Sequence, residues 1–77
     1  MYYVYVLISE KDNMFYTGYT SNLEKRVDEH NNGKIYSPKY RLPLKLVYYE
    51  SSLSQDDALH REKYLKSTYG IRYLRNR

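Results

Sequence analysis

At 77 residues the chain has room for one compact unit, a single domain spanning 1–77, and none for a second. It has no cysteine, which excludes disulfides and thiolate zinc sites, so so small an interior must be held by packing alone. The formal charge of +4 is one that ordinary domains reach, and the apolar run after Met1 lacks a basic leader and is too short to cross a bilayer, so a cytoplasmic protein without a membrane partner is expected.

Packing falls to aromatic side chains. The chain carries twelve tyrosines, one phenylalanine and no tryptophan. A tyrosine buries a large ring yet keeps a hydroxyl that can bond or react, so the core is expected to present polar tips to a cleft.

Tyr3 to Ile8 is rich in β-branched and aromatic residues without polar alternation, the pattern of a central strand covered on both faces. After the polar turn-like stretch 9–13, Phe15 to Tyr19 reads as a second strand returning antiparallel beside the first. Ser21 stands three residues before Glu24, a capping-box spacing that predicts a helix running to about Asn31, with Asn32 and Gly33 as its stop. A loop rich in Lys, Tyr and Pro leads to a third strand, Leu44 to Glu50. Ser54, with Asp57 three residues on, predicts a second helix through Ala58 and Leu65 toward Tyr69, broken by Gly70. Ile71 to Arg77 reads as a short basic terminal helix or tail. The expected fold is α+β: a small three-stranded antiparallel sheet with the order β-β-α-β-α and helices packed on it.

Two helices carry polar residues where apolar ones belong. At about 100° per residue, Ala58, Glu62, Leu65 and Tyr69 share one arc, the stripe that should face the sheet. A carboxylate there must find a cation, a metal or hydrogen-bond donors. The plain alternative is a Glu at the stripe's edge that reaches solvent or pairs with a nearby Lys or Arg. On the first helix Leu23, Val27 and His30 share an arc with Arg26 beside it, while Lys25, Asp28 and Glu29 point away. Taken singly, Arg26 and His30 are also explained as bonded structural residues. Converging near tyrosine hydroxyls, an Arg, a His and an inward Glu supply what phosphodiester cleavage requires.

These residues resemble the GIY-YIG nucleases, over nearly the whole chain. Tyr3-Val4-Tyr5 loosely matches the first motif and Tyr16-Thr17-Gly18 the second, followed by Thr20 to Arg26 and then His30-Asn31. Pro43 to Glu50 and Ala58 to Lys66 look like the small single-domain bacterial branch, related to the catalytic domain of the nucleotide-excision-repair incision subunit. No one motif is specific; the ordered set is.

The resemblance implies a metal-dependent DNA endonuclease, structure-selective in repair or recombination, using Mg2+ or Mn2+. It implies that Tyr5 and Tyr16 line the cleft and that one of them serves as general base. It further implies Arg26 as the catalytic arginine, His30 beside it, Glu62 as the metal ligand and Asn76 as a cleft asparagine. Lys25, Lys34, Lys39, Arg41, Arg72 and Arg75 would hold the DNA backbone without reading sequence, each being also explicable as ordinary surface charge. Two departures stand out: Tyr3 replaces the first motif's glycine, and Tyr19 stands where the repair subunit has a lysine. With no added DNA-binding domain, a monomer or weak homodimer served by a separate targeting protein is expected. The competing reading is a catalytically silent module that binds nucleic acid or protein.

Overall fold

The structure, a computed structural model, describes residues 1–32 and 43–76. Its elements run β1 (Tyr2–Ser9), β2 (Phe15–Thr20), α1 (Leu23–Asn31), β3 (Leu44–Ser52), α2 (Gln55–Lys66) and α3 (Thr68–Arg75). The sheet is antiparallel with the order β2-β1-β3, so the most apolar strand is central, as its sequence requires. The hairpin closes through Asn13 in the left-handed region at φ 59°, a conformation asparagine tolerates better than most residues. Asp12 Oδ1 accepts from the Met14 amide and Ser9 Oγ from the Lys11 amide, which occupies polar groups of the turn.

Alternation along β1 sorts the core into two layers. Val4 and Val6 face α2 and α3 and pack with Ala58, Leu65 and Leu74. Tyr5 and Leu7 face the other way and pack with Leu44, Tyr16, Leu23, Val27 and Leu46, the side of α1. Between Val6 and Leu7 the register with β3 shifts, passing from Tyr48 to Leu46 and leaving Val47 as an extra residue. Arg61 on α2 donates its Nε–H to Glu50 Oε1 on β3 at 3.0 Å, tying that helix to the sheet.

The structure corrects the expected start of the first helix and the expected end of the second. The N-cap of α1 is Asn22, not Ser21: its side chain accepts from the Lys25 amide, while Thr20 Oγ1 accepts from the Asn22 amide and turns the chain one residue later than the spacing suggested. Asn32 ends that helix at φ −93°, outside the left-handed region, and Gly33 lies outside the described residues. The second helix stops at Lys66 rather than near Tyr69, because Ser67 serves two helices at once. Its hydroxyl donates to the Tyr64 carbonyl and accepts from the Gly70 amide, so it is the C-cap of α2 and the N-cap of α3.

Gly70 is therefore no breaker. It is buried inside α3, where a Cβ would collide with the Tyr64 carbonyl oxygen and the Leu65 Cα, both backbone atoms of α2. Tyr69, assigned to the inward stripe by extending α2, is instead 70% exposed.

Candidate active site

Tyr5 on β1 stands opposite Gly18 on β2, and its ring lies across that glycine. A Cβ on Gly18 would sit 2.6 Å from Tyr5 Oη, so only glycine leaves the ring this path. The ring is 2% exposed, and its hydroxyl lies 3.0 Å from Nε2 of His30, which is fully buried in the last turn of α1. Tyr16 meets the same imidazole edge-on at 4.8 Å between centroids, and Tyr5 does so at 5.8 Å. His30 is thus held between two tyrosines that come from the two strands of the hairpin.

Electrostatics link the remaining groups to the same hydroxyl. Burial pushes the Tyr5 phenol up to about 12; the neighbouring Arg26 guanidinium opposes this, while the charges of Tyr16 and Glu62 add to it. Arg26 from α1 and Glu62 from α2 therefore both act on Tyr5 although their helices cover opposite faces of the sheet. Arg26 Nε also lies 3.8 Å from Glu29. The Glu62 side chain is only 17% exposed, and Lys66 Nζ approaches its Oε2 at 3.3 Å. Its inward placement and its pairing with a lysine, read from sequence as alternatives, hold together.

His30 is shifted downward, by burial first and by the Arg26 charge second, with Glu29 opposing. We assign the Tyr5 O–H as donor and Nε2 as acceptor, since burial holds Tyr5 protonated and His30 neutral; the imidazole proton then sits on Nδ1. A stability prediction follows from linkage. Below 6.5, the ordinary value, the unfolded chain takes up a proton that folded His30 resists. Stability is expected to fall as pH drops below about 6.5 and to stop falling once the lowered folded value is passed. In thermal melts between pH 7.5 and 5, His30→Gln is expected to show a shallower loss of Tm than the unaltered chain; equal slopes would remove His30 as the cause.

Two hollows flank Gly18 along the β2 edge. One, of about 320 Å3, is lined by Phe15, Tyr16, Thr17, Leu65, Lys66 and Ile71. The other, of about 380 Å3, is lined by Tyr2, Tyr19, Thr20, Ser21, Arg26 and Gln55. Tyr16 and Lys66 line the first of these and Arg26 the second.

The other sequence-predicted residues lie apart. Asn76 caps α3 in an exposed position. Arg75 beside it donates to the Asn13 carbonyl at 2.7 Å and stacks over Phe15 at 4.3 Å, a pinning of α3 to the hairpin turn that sequence reading did not anticipate. Arg72 lies exposed, 5.9 Å over the Tyr69 ring. Lys25 borders a hollow with Glu24, Asp28 and Glu29, surroundings that repel phosphate. Lys34, Lys39 and Arg41 fall outside the described residues. Sequence reading also missed the role of Gly18, visible only in the cross-strand register, and that of Asn31. The Asn31 side chain both donates to the Leu44 carbonyl and accepts from the Leu44 amide, fixing the end of α1 beside His30.

The GIY-YIG catalytic domain family matches residues 1–74. The chain belongs to that family. Among its relatives, a UPF0213 protein of Clostridium perfringens is 49% identical over 69 residues, covering 86% of this chain and 71% of that protein. A UPF0213 protein of Staphylococcus haemolyticus is 45% identical over 67 residues, covering 86% of this chain and 80% of the other. The solution NMR structure of a UPF0213 protein from Bacillus halodurans resembles this GIY-YIG domain with a TM-score of 0.60 and 31% identity, covering 99% of this chain and 84% of that one. The nuclease superfamily and the α+β fold expected from the motifs are therefore those of this chain. Among the described residues no helix is long and apolar enough to cross a membrane.

Proposed function

We propose that this GIY-YIG domain is a metal-dependent endonuclease that hydrolyses DNA phosphodiester bonds beside Tyr5 and Arg26, acting on branched, flapped or nicked DNA. The observation that carries this reading is the buried Tyr5 hydroxyl, bonded to His30 at 3.0 Å and influenced by both Arg26 and Glu62. A purely structural tyrosine has no need of all three.

A phenol pushed up to about 12 is a weak base at neutral pH unless its own proton has somewhere to go. His30 provides the destination. As Tyr5 Oη takes a proton from the attacking water, its hydroxyl proton passes to Nε2, leaving a neutral phenol and a transient imidazolium. Arg26 lies beside this hydroxyl and stabilises negative charge as it builds on the phosphate. Tyr16 packs edge-on against the imidazole and holds it in place. Tyr5→Phe and His30→Gln are each expected to lower cleavage by roughly 10²-fold, with the double variant no slower than the worse single one. Additive losses would argue that the two residues work separately.

Among the described residues no three His, Asp or Glu side chains gather as a metal-ligand cluster, so a divalent cation would rest on the Glu62 carboxylate. That donor set fits Mg2+ or Mn2+, hard cations that keep most of their waters and accept one protein carboxylate beside a substrate phosphate. When bound, such a cation neutralises phosphate charge. Lys66, ion-paired to Glu62, holds the carboxylate in place and meets the backbone of the strand.

The test is incubation of the purified chain with plasmid, nicked, flap and branched DNAs, with and without Mg2+ or Mn2+, beside a folded Glu62→Ala variant. Metal-dependent cleavage lost in Glu62→Ala is the expected outcome. DNA binding without cleavage in any condition would leave a silent binding module instead.

A further inference from the structure

The hollow on the Arg26 side of Gly18 has features that phosphodiester cleavage does not require. Its walls come from four elements, with Tyr2 on β1, Tyr19 on β2, Arg26 on α1 and Gln55 opening α2. The two tyrosines are half-buried, packed on one side against the core while part of each side chain lines the hollow. Gln55 Nε2 donates to Tyr19 Oη at 3.3 Å, which ties the start of α2 to the edge strand β2. Among the described residues, the amide oxygen and the second N–H of Gln55 have no hydrogen-bond partner.

We propose that this hollow is a nucleobase subsite, taking the base next to the cleaved phosphate and preferring adenine. The inference rests on the cleavage reading for its place on the strand and on the geometry of the hollow for its chemistry. Tyrosine faces bind bases of any kind by stacking. A fixed amide that offers one N–H and one carbonyl side by side matches an adenine edge, where the N6 amino group donates beside a ring nitrogen that accepts. Arg26, lining the same hollow, places the adjoining phosphate beside Tyr5. Tyr19 therefore supplies ring surface and a holder for Gln55 rather than a charge.

The test is an NMR titration of the full chain labelled with 15N, following the Gln55 side-chain amide and the Tyr19 backbone amide. The additions are AMP, CMP, inorganic phosphate, and trinucleotides with a central dA or dC. The dA trinucleotide is expected to shift both signals at about tenfold lower concentration than the dC one. AMP, lacking the neighbouring phosphates, is expected to need more than the trinucleotide, and inorganic phosphate to leave the Gln55 amide unmoved. Gln55→Glu, which removes the donor and keeps an acceptor, is expected to reverse the preference toward cytosine.

Equal shifts with dA and dC would overturn the base preference, and shifts with phosphate alone would overturn the subsite. AMP binding as tightly as the trinucleotide would make it a free-nucleotide pocket and overturn its place on a strand. None of these results touches metal-dependent cleavage. Conversely, a chain that fails to cut DNA but shows the adenine-selective shifts would sink the nuclease reading while leaving the base-binding chemistry standing.

Discussion

Arg26→Ala is expected to lower single-turnover cleavage of DNA by roughly 10²- to 10³-fold, the usual loss when a fixed donor is taken from developing negative charge. The guanidinium is 39% exposed and its ion pair among the described residues, to Glu29, is long at 3.8 Å, so its removal is expected to leave the fold intact. Two features make the expected effect large. Arg26 is the cation that most strongly opposes the upward push on Tyr5, and it faces the same imidazole that must receive the proton. Arg26→Lys keeps the charge but loses the planar fork, and is expected to fall between the two. Cleavage by Arg26→Ala within about threefold of the unaltered chain would mean that no charge develops near it.

Gly70→Ala is expected to produce the largest loss of stability of any single methyl added to this chain. The new carbon would meet the backbone of α2 at Tyr64 and Leu65, which cannot rotate away, so α3 must lift from α2. Overpacking of this kind costs about 1–3 kcal/mol or more. In a chain of this size that corresponds to a fall in Tm of roughly 4–24 °C by circular dichroism. Gly18→Ala provides the contrast. There the methyl would meet the hydroxyl end of Tyr5, a side chain, so the smaller thermal loss should accompany a disproportionate loss of cleavage. A Gly70→Ala melt within about 2 °C of the parent would show that the two helices sit further apart than described here.

Much of this arrangement was legible in the residues because patterning and burial agree. The unbroken run Tyr3 to Ile8 can only be satisfied between two covering layers, and β1 is the middle strand. Glu62 and His30 stood out because each occupies an apolar stripe, and both side chains are largely or fully buried. The break at Ser67 was illegible for the same reason. Ala58, Leu65 and Tyr69 continue one helical stripe, and nothing local says that a serine will take both capping roles. The starting point of α1 turned on Thr20, a neighbour outside the capping pattern itself. Gly18 and Arg75 depend on partners 13 and 62 positions away, which only the assembled sheet and helix docking bring near.

The double hydrogen bond between Asn31 and Leu44 fastens together the two ends of the intervening stretch, immediately beside His30. Closing a longer connection costs only about 0.6 kcal/mol per doubling of its length. A change of length between these anchor points is therefore expected to leave His30 where it is. The pair works as a clasp that uncouples the placement of a buried imidazole from the length of chain between its two ends.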